Sequence, residues 1–180
     1  MIPTKILSQR PILHADLFTV VETQLDIKGT KRTHLNVYRP SIASVFPIAD
    51  DGEIYLIKQY RYLHGQTFLE EVAGHVEKDE SPLFEAKREL REEVGITAGK
   101  WTEFAAFSGT SSVIKTKIYL FLATDLRVGG AASPEEDEEI TLVKMPLEEA
   151  VKRVLRGQIK NSIASLGILM LHALRQKGGL

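Results

Sequence analysis

The sequence predicts an α+β fold in which strands dominate, one helix lies in the middle of the chain and two lie at its end. Segments rich in β-branched and aromatic residues occur on both sides of one capped helical segment, and two more helical segments follow them. The length of 180 residues, with 43% hydrophobic and 26% charged residues, fits one folded domain with at most an added arm.

The strand signals fall into an N-terminal set and a longer central set. In chain order, the predicted strands cover residues 17–21, 34–39, 42–48, 53–60, 101–107, 115–123 and 139–145. Hairpin turns are predicted at 26–30 and at Asp50-Asp51-Gly52. Two or three strands are marginal on their own, so we expect those of the first forty residues to pack against other parts of the fold.

Three helices are predicted from their end signals. The first covers 81–94, with Ser81 as cap, Pro82 at the first helical position and Gly95 just past the end. The second covers 147–156 and is ended by Gly157. The third covers 162–176, where Asn161 precedes it as a cap and Gly178 follows it.

Composition excludes several classes of protein. Lys plus Arg is 23 and Asp plus Glu is 24, so the net charge of −1 argues against a nucleic-acid partner. The chain has no Cys, which excludes disulfides, thiolate zinc sites and a Cys nucleophile. Neither a signal peptide at 1–10 nor an apolar run long enough to span a membrane is found, so we expect a cytoplasmic protein without a membrane partner.

The central helix carries a row of carboxylates. Glu85, Glu89 and Glu93 recur at steps of four, Glu92 lies beside them, and an adjacent apolar stripe faces the core (Ala86, Leu90 and Val94). Like charges four apart destabilise a helix by about 0.2–0.5 kcal/mol each unless water or a cation screens them. The row is therefore a solvated acidic face, which the helix alone favours, or a site for hard cations such as Mg²⁺.

The spacing around this helix is highly specific. Gly74 is followed after five residues by Glu80 and after seven more by Arg88-Glu89, then by Leu90, Glu92-Glu93, Gly95 and Ile96. Seven fixed identities occur by chance at roughly one position in 10⁸ to 10⁹ at average residue usage. The segment resembles the signature box of the Nudix hydrolases. Residues 56–62, 68–74 and 138–174 and the first forty residues extend the likeness to ADP-ribose pyrophosphatases and related nucleoside-diphosphate-sugar hydrolases.

The resemblance implies a Nudix fold, with a mixed β-sheet core sandwiched between helices at 41–180 and an N-terminal antiparallel β arm at 1–40. It implies that the arm forms a homodimer. It also implies hydrolysis of the diphosphate of nucleoside diphosphate sugars, ADP-ribose foremost, with two or more Mg²⁺ ions, or Mn²⁺ in their place, as cofactor. The products would be a nucleoside monophosphate and a sugar phosphate.

Site residues follow from the same resemblance. The metal ligands would be Glu89, Glu92, Glu93 and the backbone carbonyl of Ala73. In the acidic loop 133–139, Glu136 would be the general base and Glu138 would support it or contact metal. Arg61 would contact the diphosphate, Glu71 would contact the sugar or nucleotide, and Arg88 would orient a carboxylate. From the residues themselves we expect backbone to approach the ligand closely at Gly74, Phe18 to stack on a base or pack in the core, and Glu85 to be a surface charge.

One departure leaves the substrate open. Ser108 precedes Gly109 where ADP-ribose pyrophosphatases often carry a Pro-Gly pair, so a broader range that includes GDP-mannose is a reasonable expectation. Two alternatives also stay open. The chain could act on another nucleoside diphosphate derivative, or it could be a non-catalytic nucleotide-sugar sensor.

Overall fold

The computed structural model describes residues 4–109, 112–133 and 139–178, and its N-terminal part is a separate four-stranded sheet. The strands of this arm sheet are β1 (Thr4–Ala15), β2 (Phe18–Ile27) and β3 (Thr30–Tyr38), with β9 (Ile114–Lys115) parallel to β3. The first three pair antiparallel in chain order. The predicted hairpin between β2 and β3 is confirmed, with Lys28 and Gly29 at positive φ and the Gly29 amide donating to Asp26 at 2.6 Å.

Two further sheets form the core. One has the order β7-β4-β10-β8, in which β4 and β10 are parallel and the other neighbours are antiparallel. The other is antiparallel with the order β11-β5-β6. Their strands are β4 (Ile42–Pro47), β5 (Glu53–Arg61), β6 (Gln66–Glu70), β7 (Val72–His75), β8 (Thr97–Ser108), β10 (Lys117–Arg127) and β11 (Ile140–Pro146).

The three predicted helices are confirmed, and they cover the core from both sides. They are α1 (Pro82–Val94), α2 (Leu147–Leu155) and α3 (Ser162–Gln176). Successive side chains of a strand point to opposite faces. In β4, Val45 packs in the cluster that contains Leu90 of α1, whereas Phe46 packs in the cluster that contains Ile168 of α3. Because both faces of β4 are buried, α1 lies on one side of the core and α2 and α3 on the other.

The predicted hairpin at Asp50-Asp51-Gly52 is correct as a turn and wrong as a strand pair. The turn closes with a 2.9 Å hydrogen bond from the Gly52 amide to the Ala49 carbonyl. However, β4 and β5 belong to different sheets and are joined by a single bridge between Ile48 and Ile54. β4 pairs with β7 and β10, whereas β5 pairs with β6 and β11, so the two strands diverge after the turn.

The strands β6 and β7 were not predicted. They are short and are separated only by Glu71, so no Gly, Pro or Asn marks the break between them. Among the described residues, no helix is both long and apolar enough to cross a membrane.

Candidate active site

The carboxylate row of α1 lies at the edge of the core. The helix starts at Ser81, whose hydroxyl accepts from the Phe84 amide at 3.1 Å, and it ends at Gly95 with φ 64°. The predicted apolar stripe is buried, and Glu93 is buried with it at 7% exposure. Glu89 and Glu92 are partly exposed. A carboxylate that is desolvated in this way needs a hydrogen-bond donor or a cation, so the row is more than a solvated acidic face.

Gly74 makes room for Glu89. A Cβ built on Gly74 would overlap the Glu89 side chain, so a larger residue would require this carboxylate to move. The sequence-based interpretation gave Gly74 the role of bringing backbone close to ligand. In the structure, the Glu89 side chain takes the space beside it.

The carbonyl of Ala73 points to the open edge of its sheet. The Val76 amide donates to the Ser41 carbonyl at 2.8 Å, and Gly74 lies opposite Ala43 in the same antiparallel pair. Since hydrogen-bonded pairs alternate along antiparallel strands, the peptide groups of Ala73 face away from β4. β7 is the outermost strand of its sheet, so this carbonyl is available beside Gly74.

A second group of charges precedes β7. Glu71 is 4% exposed, its Oε1 accepts from the Ser44 hydroxyl at 3.1 Å, and its Oε2 is buried without a hydrogen-bond partner in the described structure. Burial raises the pKa of Glu71 to about 7, although the hydrogen bond from Ser44 acts to lower this pKa. Glu70 is also buried and accepts from Arg61 through Nε at 3.0 Å and Nη2 at 2.6 Å.

This group contains two residues that the sequence predicted for the site, Arg61 and Glu71, and two that it did not predict, Glu70 and Ser44. Arg61 and Glu71 interact electrostatically in one cluster, and Glu70 and Ser44 hold them in place. Glu70 could have been identified from the sequence, because Glu70 and Glu71 are two adjacent carboxylates inside the otherwise apolar stretch 68–73. Ser44 lies opposite Ala73 in the β4–β7 pair, so the cluster adjoins the box.

Arg88 pairs with two carboxylates of the box region. Its Nη2 donates to both oxygens of Glu85, at 2.9 and 2.7 Å, and its Nη1 donates to Glu77 at 2.8 Å. The hydrogen bonds to Glu77 and then Glu85 raise the pKa of Arg88. Arg88 thus pairs with two carboxylates of the box region, and the expectation that it orients a carboxylate of the site stays a prediction.

The prediction that Glu85 is a surface charge is wrong, because the residue is fully buried. It adjoins the apolar stripe at Ala86, and the guanidinium of Arg88 offsets the loss of water around its charge. On the strand beside it, Arg39 Nη2 donates to His75 Nε2 at 2.9 Å. Burial and then Arg39 lower the pKa of His75, so the imidazole is neutral and accepts this hydrogen bond.

The remaining predicted residues lie apart from the box or beyond the described chain. Phe18 begins β2 in the arm sheet and is 38% exposed. Glu136 and Glu138 lie outside the described residues. The segment before them is joined to the end of α1, because the Ser133 amide donates to the Glu92 carbonyl at 2.8 Å and the Gly130 amide to the Gly95 carbonyl at 3.0 Å.

The box residues fit a hard divalent cation. Within 4–109, 112–133 and 139–178, no three acidic or histidine side chains already form a metal cluster. Mg²⁺ usually takes only one or two protein carboxylates and completes its shell with water and phosphate oxygens. Buried carboxylate oxygens without a hydrogen-bond partner at Glu71 and Glu80 show that this region has acceptors left over for a cation or a donor.

A cleft of about 450 Å³ lies between the arm sheet and the end of β8, and both polar and apolar side chains line it. The arm sheet contributes Gln9, His34, Tyr38 and Lys115, and Ser108 contributes from the end of β8. Within this lining the Gln9 amide donates to the Tyr38 hydroxyl at 2.9 Å. Ser108, the residue at which the sequence departs from the Pro-Gly pattern, therefore faces a cavity at the junction of arm and core.

Comparison with known proteins gives a consistent result. A family model described as the NUDIX domain matches residues 37–166. The chain is similar to an ADP-ribose pyrophosphatase of Mycobacterium tuberculosis, with 37% identity over 132 residues, which are 72% of this chain and 64% of that protein. It is also similar to an ADP-ribose pyrophosphatase of Bacillus subtilis, with 28% identity over 169 residues, 93% of this chain and 91% of that protein.

A solved structure of an ADP compounds hydrolase has the same fold. It matches with a TM-score of 0.82 over 98% of this chain and 97% of that chain, at 24% identity. The α+β fold expected from the sequence is confirmed, including the mixed core between helices and the antiparallel N-terminal strands.

Proposed function

Because the chain belongs to the NUDIX family of hydrolases, we propose that it cleaves the diphosphate linkage of nucleoside diphosphate sugars, ADP-ribose foremost. The observation that carries this proposal is the contact between Gly74 and Glu89, which places one box carboxylate against the strand that presents the Ala73 carbonyl. The names of the two relatives support ADP-ribose as the first substrate to test.

In this proposal Glu89 and Glu93, with Glu92 beside them and the carbonyl of Ala73, hold two or more Mg²⁺ ions, with Mn²⁺ as a substitute. When bound, such ions neutralise charge on the diphosphate and lower the pKa of a bound water. Burial of Glu93 supports its role, because a desolvated carboxylate attracts a cation more strongly than an exposed one.

The other side chains of the site bind and orient. Arg61, 46% exposed and now paired with Glu70, turns toward the diphosphate, to which a guanidinium can donate two hydrogen bonds. Glu71 contacts the sugar or nucleotide from beside β7. Phe18 stacks on the base from the arm. Arg88 keeps the box in place through its carboxylate pairs.

The general base belongs to the acidic loop. We propose that Glu136 takes the proton of the attacking water and that Glu138 supports it. The hydrogen bond from the Ser133 amide to the Glu92 carbonyl supports this, because it connects the start of the loop to the end of the helix that carries the carboxylates.

The experiment that tests this function is a substrate panel with product identification. Purified protein with Mg²⁺ is offered ADP-ribose, GDP-mannose, a dinucleoside polyphosphate, a coenzyme diphosphate and an oxidised nucleotide. We expect a nucleoside monophosphate and a sugar phosphate from the sugar nucleotides. If GDP-mannose is turned over fastest, it replaces ADP-ribose as the preferred substrate. Binding of ADP-ribose without turnover would favour the alternative of a non-catalytic nucleotide-sugar sensor.

We also propose that the arm, residues 1–40, forms a homodimer and that 41–180 is the hydrolase domain of a cytoplasmic protein. The outer strand β1 has exposed apolar side chains at Ile6, Ile12 and Leu13, and Leu35 of β3 is 55% exposed. Such an apolar surface on an unpaired edge strand favours a partner. Light scattering should report twice the 20.1 kDa chain mass, and a particle of one chain mass at micromolar concentration would contradict the dimer.

A further inference from the structure

The geometry points to Glu85 as a positioning residue of this hydrolase, one that sets the box loop and the metal-binding carboxylates through Arg88. The inference rests on the proposed function, because it assigns Glu85 a role in preparing the metal site. Glu85 lies in the first turn of α1 and is fully buried, so we assign it no direct contact with substrate or ion.

The first step is the pairing of a fully buried charge. Glu85 has no exposed surface, and both of its oxygens accept from Arg88 Nη2. A buried carboxylate that loses its partner is left without water to compensate it, so this pair fixes the position of the guanidinium far more firmly than a surface pair would. The side chain of Arg88 is itself only 27% exposed.

The second step leads from Arg88 to the loop. A second guanidinium nitrogen of Arg88, Nη1, donates to Glu77. The carbonyl of Glu77 in turn accepts from the Glu80 amide at 3.2 Å, which closes a turn with Asp79 at φ 70°. This turn directs Glu80 inward, where its Oε2 is buried without a hydrogen-bond partner in the described structure. The guanidinium that Glu85 holds is therefore linked, through the Glu77 side chain, to the turn that directs Glu80 inward.

The third step leads from Glu85 to β7. Glu85 lies on α1, and α1 packs against β7, the strand of Gly74 and of His75, which accepts a hydrogen bond from Arg39. The helix of Glu85 is thus in contact with the strand whose glycine accommodates Glu89. Loss of its charge should loosen the surroundings of Glu89 and Glu93 while those two residues stay intact.

The test compares Mn²⁺ binding with turnover. Free Mn²⁺ is titrated by electron paramagnetic resonance in wild type, Glu85→Gln and Glu77→Gln, and kcat and KM for ADP-ribose are then measured at saturating Mn²⁺. Groups that orient metal ligands typically change metal affinity about 10- to 100-fold, so we expect Glu85→Gln to raise the Mn²⁺ dissociation constant by about that factor. We expect kcat to fall while KM stays within about 3-fold, since Glu85 does not touch substrate.

Two further variants complete the design. The double variant of Glu77→Gln and Glu85→Gln should raise the Mn²⁺ dissociation constant by less than the product of the two single increases, because both residues act through Arg88. As a control, Glu149→Gln removes a carboxylate from a surface pair with Arg153 on α2, and we expect its Mn²⁺ affinity to match wild type.

The outcomes decide the inference separately from the function. A folded Glu85→Gln protein with wild-type Mn²⁺ affinity would overturn the positioning role. If Glu85→Gln does not fold, Glu85→Asp takes its place, because aspartate keeps the charge while its shorter side chain moves the carboxylate away from Arg88. Weakened Mn²⁺ binding by Glu85→Asp then supports the role, and unchanged binding overturns it. If wild type binds Mn²⁺ but hydrolyses no nucleotide sugar, the proposed function fails, while the same titration still decides the role of Glu85.

Discussion

The side chain of Glu89 occupies the space that a Cβ at position 74 would fill, so Gly74 and Glu89 are fitted to each other across two elements of the fold. Gly74 belongs to the edge strand β7 and Glu89 to the third turn of α1. The glycine and the glutamate of one sequence signature are therefore a packing pair, and the strand and the helix bring a backbone carbonyl and a carboxylate together.

This contact predicts the effect of Gly74→Ala. The added methyl should displace the Glu89 carboxylate, weaken divalent-ion binding and lower kcat about 10- to 100-fold, as for groups that orient metal ligands. Steady-state kinetics across a range of Mg²⁺ concentrations measures both effects. Gly157→Ala is a control away from the box: its methyl would meet nothing within 4 Å, and although alanine strains the backbone at φ 67°, the variant should keep wild-type Mg²⁺ dependence.

Removing one negative charge from the row should abolish most activity. Glu93→Gln keeps the size of a side chain that is 7% exposed, so we expect the fold to persist while kcat falls by more than about 100-fold. Thermal melts and kinetics on one preparation separate the two effects. Near-normal turnover in the folded variant would remove Glu93 from the metal site.

The sequence predicted the elements of the site better than their surroundings. The box spacing and the end signals at Ser81 and Gly95 act locally, so α1 and its apolar stripe could be predicted. The burial of Glu85 could not, because it depends on a guanidinium three residues away and on strands brought near by folding. The separation of β4 from β5 was missed for the same reason: the turn is local, whereas the choice of strand partner is not.

The pKa of Glu71 predicts a pH-dependent stability. Burial raises this pKa from 4.5 to about 7 on folding, so the favourable contribution of neutral Glu71 is complete below 4.5 and is lost as pH rises through about 7. Between about pH 5 and pH 8 the loss is on the order of 2–3 kcal/mol.

Urea denaturation in EDTA of wild type and Glu71→Gln measures this loss. The Gln variant has no charge to bury, so it should gain stability relative to wild type as pH rises, by the amount given above. A stability difference that does not change with pH would mean that Glu71 keeps an ordinary pKa in the folded protein.

The junction between α1 and the segment before the acidic loop predicts a contrast between two glycines. Gly95 and Gly157 have nearly the same φ, 64° and 67°, but a methyl at Gly95 would also overlap the carbonyl of Gly130. Alanine at a left-handed position costs about 1–2 kcal/mol, and overpacking adds about 1–3 kcal/mol. Gly95→Ala should therefore lower the free energy of unfolding more than Gly157→Ala does, and equal losses in urea denaturation would show that the Gly130 contact does not constrain the fold.

The most direct test of the central claim is anomalous diffraction from crystals grown with Mn²⁺ and a non-hydrolysable ADP-ribose analogue. We predict manganese peaks at coordination distance from the carboxylates of Glu89 and Glu93 and from the Ala73 carbonyl, with the diphosphate oxygens completing the shell. Manganese bound elsewhere, with Glu89 and Glu93 directed away from every ion, would contradict the account.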